Sequence, residues 1–217
     1  MTGTELVTQF ETLVEDDTTS STQVLIWLNA AYDMINLKRP WNYTKKTDTT
    51  KTVAAATAAY ALPSDFQYPL GRVWLRDSNL NYTPLNMVSF EDRFNHVTDP
   101  LAVYIDVINS QLTFVTTPAA GSSLVGQTIV LPYAYAPTQI AGGTSPVFVR
   151  GAHMLLAYEA AKLFWYNDQS EKDRAWNREM QSEFNRLYEV LETWDARMDA
   201  GATGNAWNPA SAYDLPS

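Results

Sequence analysis

Histidine, cysteine and paired carboxylates are the residues with which this chain could do chemistry, and they are few. The 217 residues include no Cys and only two His. Without Cys there can be no disulfide, thiolate metal ligand or thiol nucleophile. His96 and His153 lack the HxxxH or HExxH spacing that places two imidazoles around one metal ion. The sequence therefore predicts no catalytic residue, no metal site and no cofactor.

The remaining candidate groups favour structural roles. His153 lies six residues before Glu159, so the two do not share a helix face, and a general base needs an orienting partner. Carboxylate pairs at Asp16–Asp17 and Glu91–Asp92 are more often capping and solubility groups than a glycosidase acid and base. Residues 142–145 resemble half of a phosphate loop without its lysine. A hydrolase using Asp or Glu stays an alternative, which requires two carboxylates in one concave pocket.

Composition and charge indicate an acidic globular protein. With 46% hydrophobic and 12% aromatic residues, the chain can bury the core of one large or two small domains. The formal net charge is -9, and residues 1–43 carry six acids against two bases. Such a balance disfavours nonspecific binding to nucleic acid phosphates. The start of the chain lacks the basic and apolar regions of a signal peptide, and no apolar run is long enough to span a membrane.

Helical periodicity occupies the first part of the chain. Capping boxes at Thr2 with Glu5 and at Ser20 with Gln23 predict where two helices begin. Pro40 closes the second helix, because the residue before a proline is disfavoured in the α region. Apolar residues spread around much of this second helix, so we expect it to be covered on more than one side.

Two further helices are predicted near the other end of the chain. Ser145 with Pro146 predicts the N-cap and first position of the third helix. Ser170 predicts the cap of a fourth helix, which Gly201 and Gly204 end. The apolar residues of this fourth helix recur at alternating steps of four and three, which indicates an antiparallel helical hairpin.

Residues 44–144 change to the period of two that strands show. Residues 72–76 with 82–85 predict one hairpin, residues 103–108 with 111–115 predict a second, and residues 128–135 predict a further strand.

Other signals in this region are weaker. Pro84 and Pro132 predict edge strands or bulges, because proline cannot donate to a strand ladder. Ser89 predicts the cap of one short helical turn. Residues 51–60 predict a weak strand or an extended arm. We expect residues 53–60 and the C-terminal residues 200–217 to stay mobile until assembly.

Together these elements predict an α+β fold, a discontinuous four-helix bundle with an inserted antiparallel β domain and an extended C-terminal tail. The predicted borders are 1–43 with 145–199 for the bundle, 44–144 for the β domain and 200–217 for the tail. Trp207 and Tyr213 lie in this tail, whose Gly, Ala, Asn, Ser and Pro content does not favour a helix. Aromatic residues there suggest a segment that orders on a partner, and a disordered tail is the alternative.

The order of short signatures along the chain resembles a known family. Residues 31–41 end the second helix in AYDMI and RPW, residues 60–66 read YALPSDF, and residues 149–153 precede the late helix. This order is similar to that of the head-to-tail adaptor (connector) proteins of tailed phages, especially short-tailed phages.

The resemblance implies a structural virion protein, made in the host cytoplasm, that is not an enzyme. Members form a ring, usually of twelve copies, under the portal protein. The helical bundle would dock on the portal, the β domain would meet the next tail component (nozzle or tail tube), and DNA would pass through the lumen without specific binding. The C-terminal extension would contact the portal through Trp207, Tyr213 and Leu215.

A different function remains possible from the aromatic residues. Trp and Tyr on β-structure also form sugar-binding platforms. A β domain that displays Trp74, Tyr82 and Tyr104 would be a carbohydrate- or receptor-binding module of a virion.

Overall fold

The protein has an α+β fold made of two compact units. The computed structural model describes residues 1–15, 18–149, 151–167 and 173–203. Residues 1–44 with 137–201 form a helical unit, and residues 45–136 form a β unit.

The helical unit contains α1 (Gly3–Val14), α2 (Ser21–Leu37), α3 (Met154–Asn167) and α4 (Asp173–Thr203). The capping box at α1 is confirmed, since the Glu5 N–H donates to the Thr2 hydroxyl at 3.3 Å and the Thr2 N–H donates to the Glu5 carboxylate at 2.8 Å. At α2 the Gln23 N–H donates to the Ser20 hydroxyl at 3.3 Å. These caps satisfy N–H groups that have no partner inside the helix.

The third helix begins later than the sequence predicts. Its predicted start at Pro146 is wrong, because α3 begins at Met154. The segment before α3 is held against α2 instead, and the Tyr32 hydroxyl donates to the Val147 carbonyl at 2.6 Å. Gly151 has φ of +92°, outside the right-handed helical region. Tertiary contacts here override the local capping signal.

The fourth helix is longer than predicted at its C-terminus. It continues through Gly201 to Thr203, whereas the sequence ends it at Gly201 and Gly204. The predicted cap Ser170 lies outside the described residues.

One apolar core holds the helical unit together. All four helices contribute to it, together with Trp41 from the segment after α2. Its fully buried members include Leu6, Phe10, Val24, Leu28, Ile35, Trp41, Leu155, Leu156, Ala160 and Leu191.

The N-terminus of α1 packs against the turn that resembles a phosphate loop. The Gly3 N–H donates to the Thr144 carbonyl and the Thr4 N–H donates to the Gly142 carbonyl, both at 2.8 Å. A Cβ atom on Gly3 would lie 2.2 Å from the Ala141 carbonyl oxygen, so only glycine fits. The free N–H groups of the helix end are therefore used within the chain, and the turn is a structural element.

The β unit contains nine strands in the described part of the chain. They are β1 (Lys45–Thr52), β2 (Ala59–Ala61), β3 (Phe66–Pro69), β4 (Trp74–Arg76), β5 (Tyr82–Pro84), β6 (Asn86–Met87), β7 (Ala102–Asp106), β8 (Gln111–Phe114) and β9 (Thr128–Tyr135). One sheet has the order β1-β9-β4-β5, with β3 also paired to β9, and the other has the order β2-β8-β7-β6. All pairs are antiparallel except β6 with β7.

Residues from both sheets share one apolar core. Its members are Val53, Tyr60, Val73, Leu75, Leu85, Val103, Leu112, Phe114, Leu124, Ile129 and Leu131. The predicted hairpins are confirmed as β4–β5 and β7–β8, and the predicted strand 128–135 is confirmed as β9.

The two strand prolines have different surroundings. Pro84 lies in β5, an edge strand, as predicted. Pro132 lies in the central strand β9, so its prediction as an edge residue is wrong. On one side of β9, β3 ends at Pro69 opposite Tyr133 and β4 begins at Trp74 opposite Val130. Leu70, which follows β3, donates its N–H to the Pro132 carbonyl at 2.9 Å. Pro132 has no N–H to donate in return, and β3 ends one residue before Leu70, at Pro69.

The predicted mobile arm is anchored at both ends. Val53 and Tyr60 are buried in the β core. The Tyr60 hydroxyl accepts from the Ala54 N–H at 2.8 Å and donates to the Thr57 carbonyl at 3.1 Å. The prediction of an extended arm is therefore wrong, because buried side chains and hydrogen bonds hold both ends of this segment in the β unit.

A buried carboxylate joins α4 to the segment that follows α2. Asp195 is fully buried and pairs with the Arg39 guanidinium. It also accepts from the Asn42 N–H at 2.7 Å and from the Asn42 side-chain amide at 2.9 Å. Between Arg39 and Asn42 in the sequence, Trp41 is fully buried, and its indole N–H donates to the Ile35 carbonyl at 2.8 Å. Several donors therefore compensate the desolvation of one carboxylate.

We expect Asp195→Ala to lower the free energy of unfolding by about 1–3 kcal/mol, because the Asn42 N–H and the Arg39 guanidinium, both half-buried, would lose their carboxylate acceptor. Urea unfolding measures the loss. Glu189→Ala, at an exposed position of the same helix, is the control and should change stability by less than about 0.5 kcal/mol. Equal losses for the two variants would contradict the role of Asp195.

Candidate interaction surfaces

His153 has contacts that indicate a structural role. Its ring packs edge-on against Phe148 with centroids 5.9 Å apart, and it forms a hydrogen bond with the backbone of Pro146. Burial lowers the pKa of His153, and the Met1 ammonium group lowers it further. The imidazole therefore stays neutral near pH 7 and helps to hold the segment that precedes α3.

Asp92 and His96 are the first and last residues of a short 3₁₀ helix, Asp92–His96, and Glu91 directly precedes it. The Ser89 hydroxyl accepts from the Asp92 N–H at 3.1 Å, so the predicted contact of Ser89 with a short helical turn is present, although the helix begins at Asp92, two residues later than predicted. The Asp92 carboxylate accepts from the Asn95 amide at 2.7 Å and lies 3.1 Å from the His96 ring nitrogen Nε2. Hydrogen bonds from these two residues lower the pKa of Asp92, which suits a capping anion.

Two carboxylates do share a concavity in the helical unit. Glu179 and Glu183 line a pocket of about 180 Å³ with Leu13, Tyr158 and Met180. The Glu183 carboxylate accepts from the Arg186 guanidinium at 2.9 Å, so a cation already compensates it. Typical ligand sites enclose about 300–1,000 Å³. The pocket therefore brings two carboxylates together, but it is smaller than a typical substrate site and one of the two carboxylates is already paired.

No group of three or more possible metal ligands occurs among the residues that the structure describes.

The aromatic platform proposed for sugar binding is not assembled. Trp74 is buried in the first sheet, with only 6% of its surface exposed. Tyr104 is half-buried and packs edge-on against Phe90 at a centroid distance of 5.7 Å. A buried Trp74 cannot stack on a sugar ring, so its predicted display is wrong.

The β unit instead exposes a compact aromatic surface, which we call the β patch: Phe90, Arg93, Phe94, Val97 and Tyr104. Phe94 is 69% exposed and Phe90 44% exposed. The Arg93 guanidinium carbon lies 3.6 Å from the Phe90 ring centroid and 4.2 Å from that of Phe94. Stacking fixes the arginine, and Arg and aromatic side chains are enriched at protein interfaces.

A second exposed feature of the β unit is the tip of the β7–β8 hairpin. Val107 and Ile108 are 81% and 90% exposed. The Asp106 carboxylate accepts from the Asn109 N–H at 3.1 Å and from the Asn109 side-chain amide at 2.8 Å, which holds the turn. The tip presents two aliphatic side chains on a preformed turn.

The site residues predicted from the sequence and those found in the structure are different. Trp207, Tyr213 and Leu215 lie outside the described residues. The β patch was not predicted, although Phe90 and Phe94 stand four residues apart in a polar segment, a spacing that signals exposed apolar residues on one side of a helical turn.

Exposed apolar surfaces on an acidic α+β chain are features of a protein that works by binding other proteins. The family comparison agrees: the chain belongs to the SU10 adaptor protein family, whose model matches residues 1–208. No match is found among curated proteins. The family match confirms the resemblance to phage head-to-tail adaptors.

Membership makes the chain a structural phage protein and a component of the virion. An adaptor associates with portal and tail components, and its class is not typically enzymatic. Within the described ranges, no helix combines the length and apolarity that a bilayer crossing requires.

The lowered pKa of His153 predicts a pH-dependent stability. As pH falls through about 6.5, the unfolded chain takes up a proton that folded His153 resists, so stability is lost on acidification. Urea unfolding at about pH 8 and about pH 5.5 measures this loss. His153→Gln should reduce it, whereas His96→Gln is the matched control. An unchanged pH dependence in His153→Gln would refute the assignment.

Proposed function

We propose that the chain forms a closed ring of twelve copies between the portal and the next tail component, and that DNA passes through its lumen. The observation that carries this proposal is the family match across residues 1–208. The net charge of -9 supports it, because an acidic lumen would repel DNA phosphates and let the duplex slide.

In this proposal the parts of the chain have separate partners. The four helices act as one bundle domain that docks on the portal, and the C-terminal segment 200–217 extends this contact. Trp207, Tyr213 and Leu215 serve as its apolar anchors, since buried aromatic residues supply much of the energy of protein interfaces. The inserted β domain meets the next tail component.

The β patch supports the assignment of the β domain. Its exposed Phe94 and Phe90 flank an arginine whose guanidinium is held by stacking. A fixed cation beside apolar side chains suits a protein surface that offers a carboxylate within an apolar area.

Negative-stain microscopy of the protein mixed with the portal tests the assembly. We expect a twelvefold ring on the portal, and Trp207→Ala should weaken portal binding by about tenfold or more, because an anchor residue carries over about 1 kcal/mol. Ser211→Ala, a small change in the same segment, is the control. A portal that binds no ring of the wild type would contradict the proposed function.

Binding to the purified tail component tests the β patch. Phe94→Ala should weaken this binding by about tenfold, which corresponds to about 1.4 kcal/mol. Leu80→Ala is the matched control, because Leu80 is an exposed apolar residue at 67% in the same unit and Phe94 is 69% exposed. If both variants bind like the wild type, the β patch is not the contact.

A further inference from the structure

Helix α2 carries a second apolar stripe that faces away from the core. We call Ile26, Ala30, Met34 and Leu37 the α2 stripe. Ile26 is 55%, Met34 43% and Leu37 70% exposed. The spacing of four, four and three residues places them along one face of the helix. The sequence predicts that α2 is covered on more than one side, and the described chain covers only the side opposite this stripe.

One charged residue lies within the α2 stripe. Asp33 is exposed and has no hydrogen-bond or ion-pair partner among the described residues. An unpaired carboxylate on an otherwise apolar face selects a partner with a cation at the matching position.

Helix α4 has a surface of the complementary kind, the α4 stripe: Val190, Trp194, Arg197 and Met198. Val190 is 47% and Met198 49% exposed, and Trp194 is half-buried. Arg197 is exposed and, within the described ranges, also lacks a hydrogen-bond or ion-pair partner. Among the described residues, Arg197 is thus an unpaired cation beside the apolar residues of α4, as Asp33 is an unpaired anion beside those of α2.

We propose that the α2 stripe of one copy packs against the α4 stripe of the next copy, with Asp33 paired to Arg197. This inference rests on the proposed ring and names its subunit contact. Two copies of a chain with net charge -9 repel each other on average. The Asp33–Arg197 pair places opposite charges together and so favours this one approach.

The geometry of the contact suits a closed assembly. Because the two stripes are different surfaces of each copy, every copy offers one to each neighbour, and such head-to-tail contacts can close into a ring. The α2 stripe spans twelve residues, from Ile26 to Leu37, or about 16 Å of helix, and the α4 stripe spans about 12 Å. Stripes of this length bury less than a stable dimer needs, about 800 Å² per partner. Single pairs are therefore weak, and closure on the portal stabilises the ring.

Thiol cross-linking tests the pair directly, because the chain contains no Cys. Asp33→Cys and Arg197→Cys are prepared separately, mixed with and without portal, and treated with a short bismaleimide. We expect a cross-linked dimer from the mixture and none from either variant alone. A double variant carrying both cysteines should give a ladder of oligomers. Glu189→Cys mixed with Asp33→Cys is the control and should stay uncross-linked.

Charge reversal provides the second measurement. Asp33→Arg and Arg197→Asp should each lower the fraction of portals that carry a ring by about tenfold, and the combined variant should recover most of it. Rings that form as in the wild type with either single reversal would overturn the pairing, as would assembled rings without the mixed cross-link. A wild type that forms no ring on the portal refutes the proposed function. In that case, cross-linking of the two cysteine variants at high concentration without portal tests whether Asp33 and Arg197 lie together. If no mixed cross-link forms, the inference is overturned.

Discussion

The helical unit depends on a carboxylate that water cannot reach. Asp195 is fully buried, and its partners Arg39 and Asn42 come from a segment more than 150 positions earlier in the chain. Removing any partner would leave a charge or donor unpaired in an apolar environment, which costs more than the pair contributes when intact. The contact therefore specifies one alignment of α4 with the end of α2. Trp41, between Arg39 and Asn42 in the sequence, is also fully buried, so apolar packing favours the same alignment as the ion pair.

The chain also fastens its return into the helical unit. The Asn29 amide donates to the Ile140 carbonyl at 3.1 Å and the Ile140 N–H donates to the Asn29 side-chain oxygen at 2.6 Å. Further along, the Tyr32 hydroxyl holds Val147. These bonds attach the segment that returns from the β unit to the middle of α2, at Asn29 and Tyr32. The division of the helical unit into distant sequence segments is thus maintained by polar contacts as well as by its core.

Local signals predicted the parts of this fold that depend on few residues. The caps at Thr2 and Ser20, the two hairpins and β9 follow from side-chain chemistry within a short window. The start of α3 and the central position of Pro132 could not be predicted, because contacts with distant elements decide them. An acid on the apolar face of a helix, as Asp195 is, can be recognised in the sequence as a candidate buried carboxylate. Its partners Arg39 and Asn42 cannot be identified without the structure. The β patch escaped prediction because exposure depends on how the segment between β6 and β7 packs.

A protein that assembles through its surfaces must also prevent unwanted contacts. The edge strand β1 presents eight residues whose outer backbone groups could pair with another chain. Its sequence KKTDTTKT is charged and polar, and the pairing register with β9 shifts between Asp48 and Lys51. Lysines and an irregular edge make strand addition unfavourable. Backbone-mediated association, which would ignore side-chain identity, is thereby suppressed. In the assembly proposed above, association then depends on side-chain surfaces, the β patch and the α2 stripe, where a single charge can decide which partner fits.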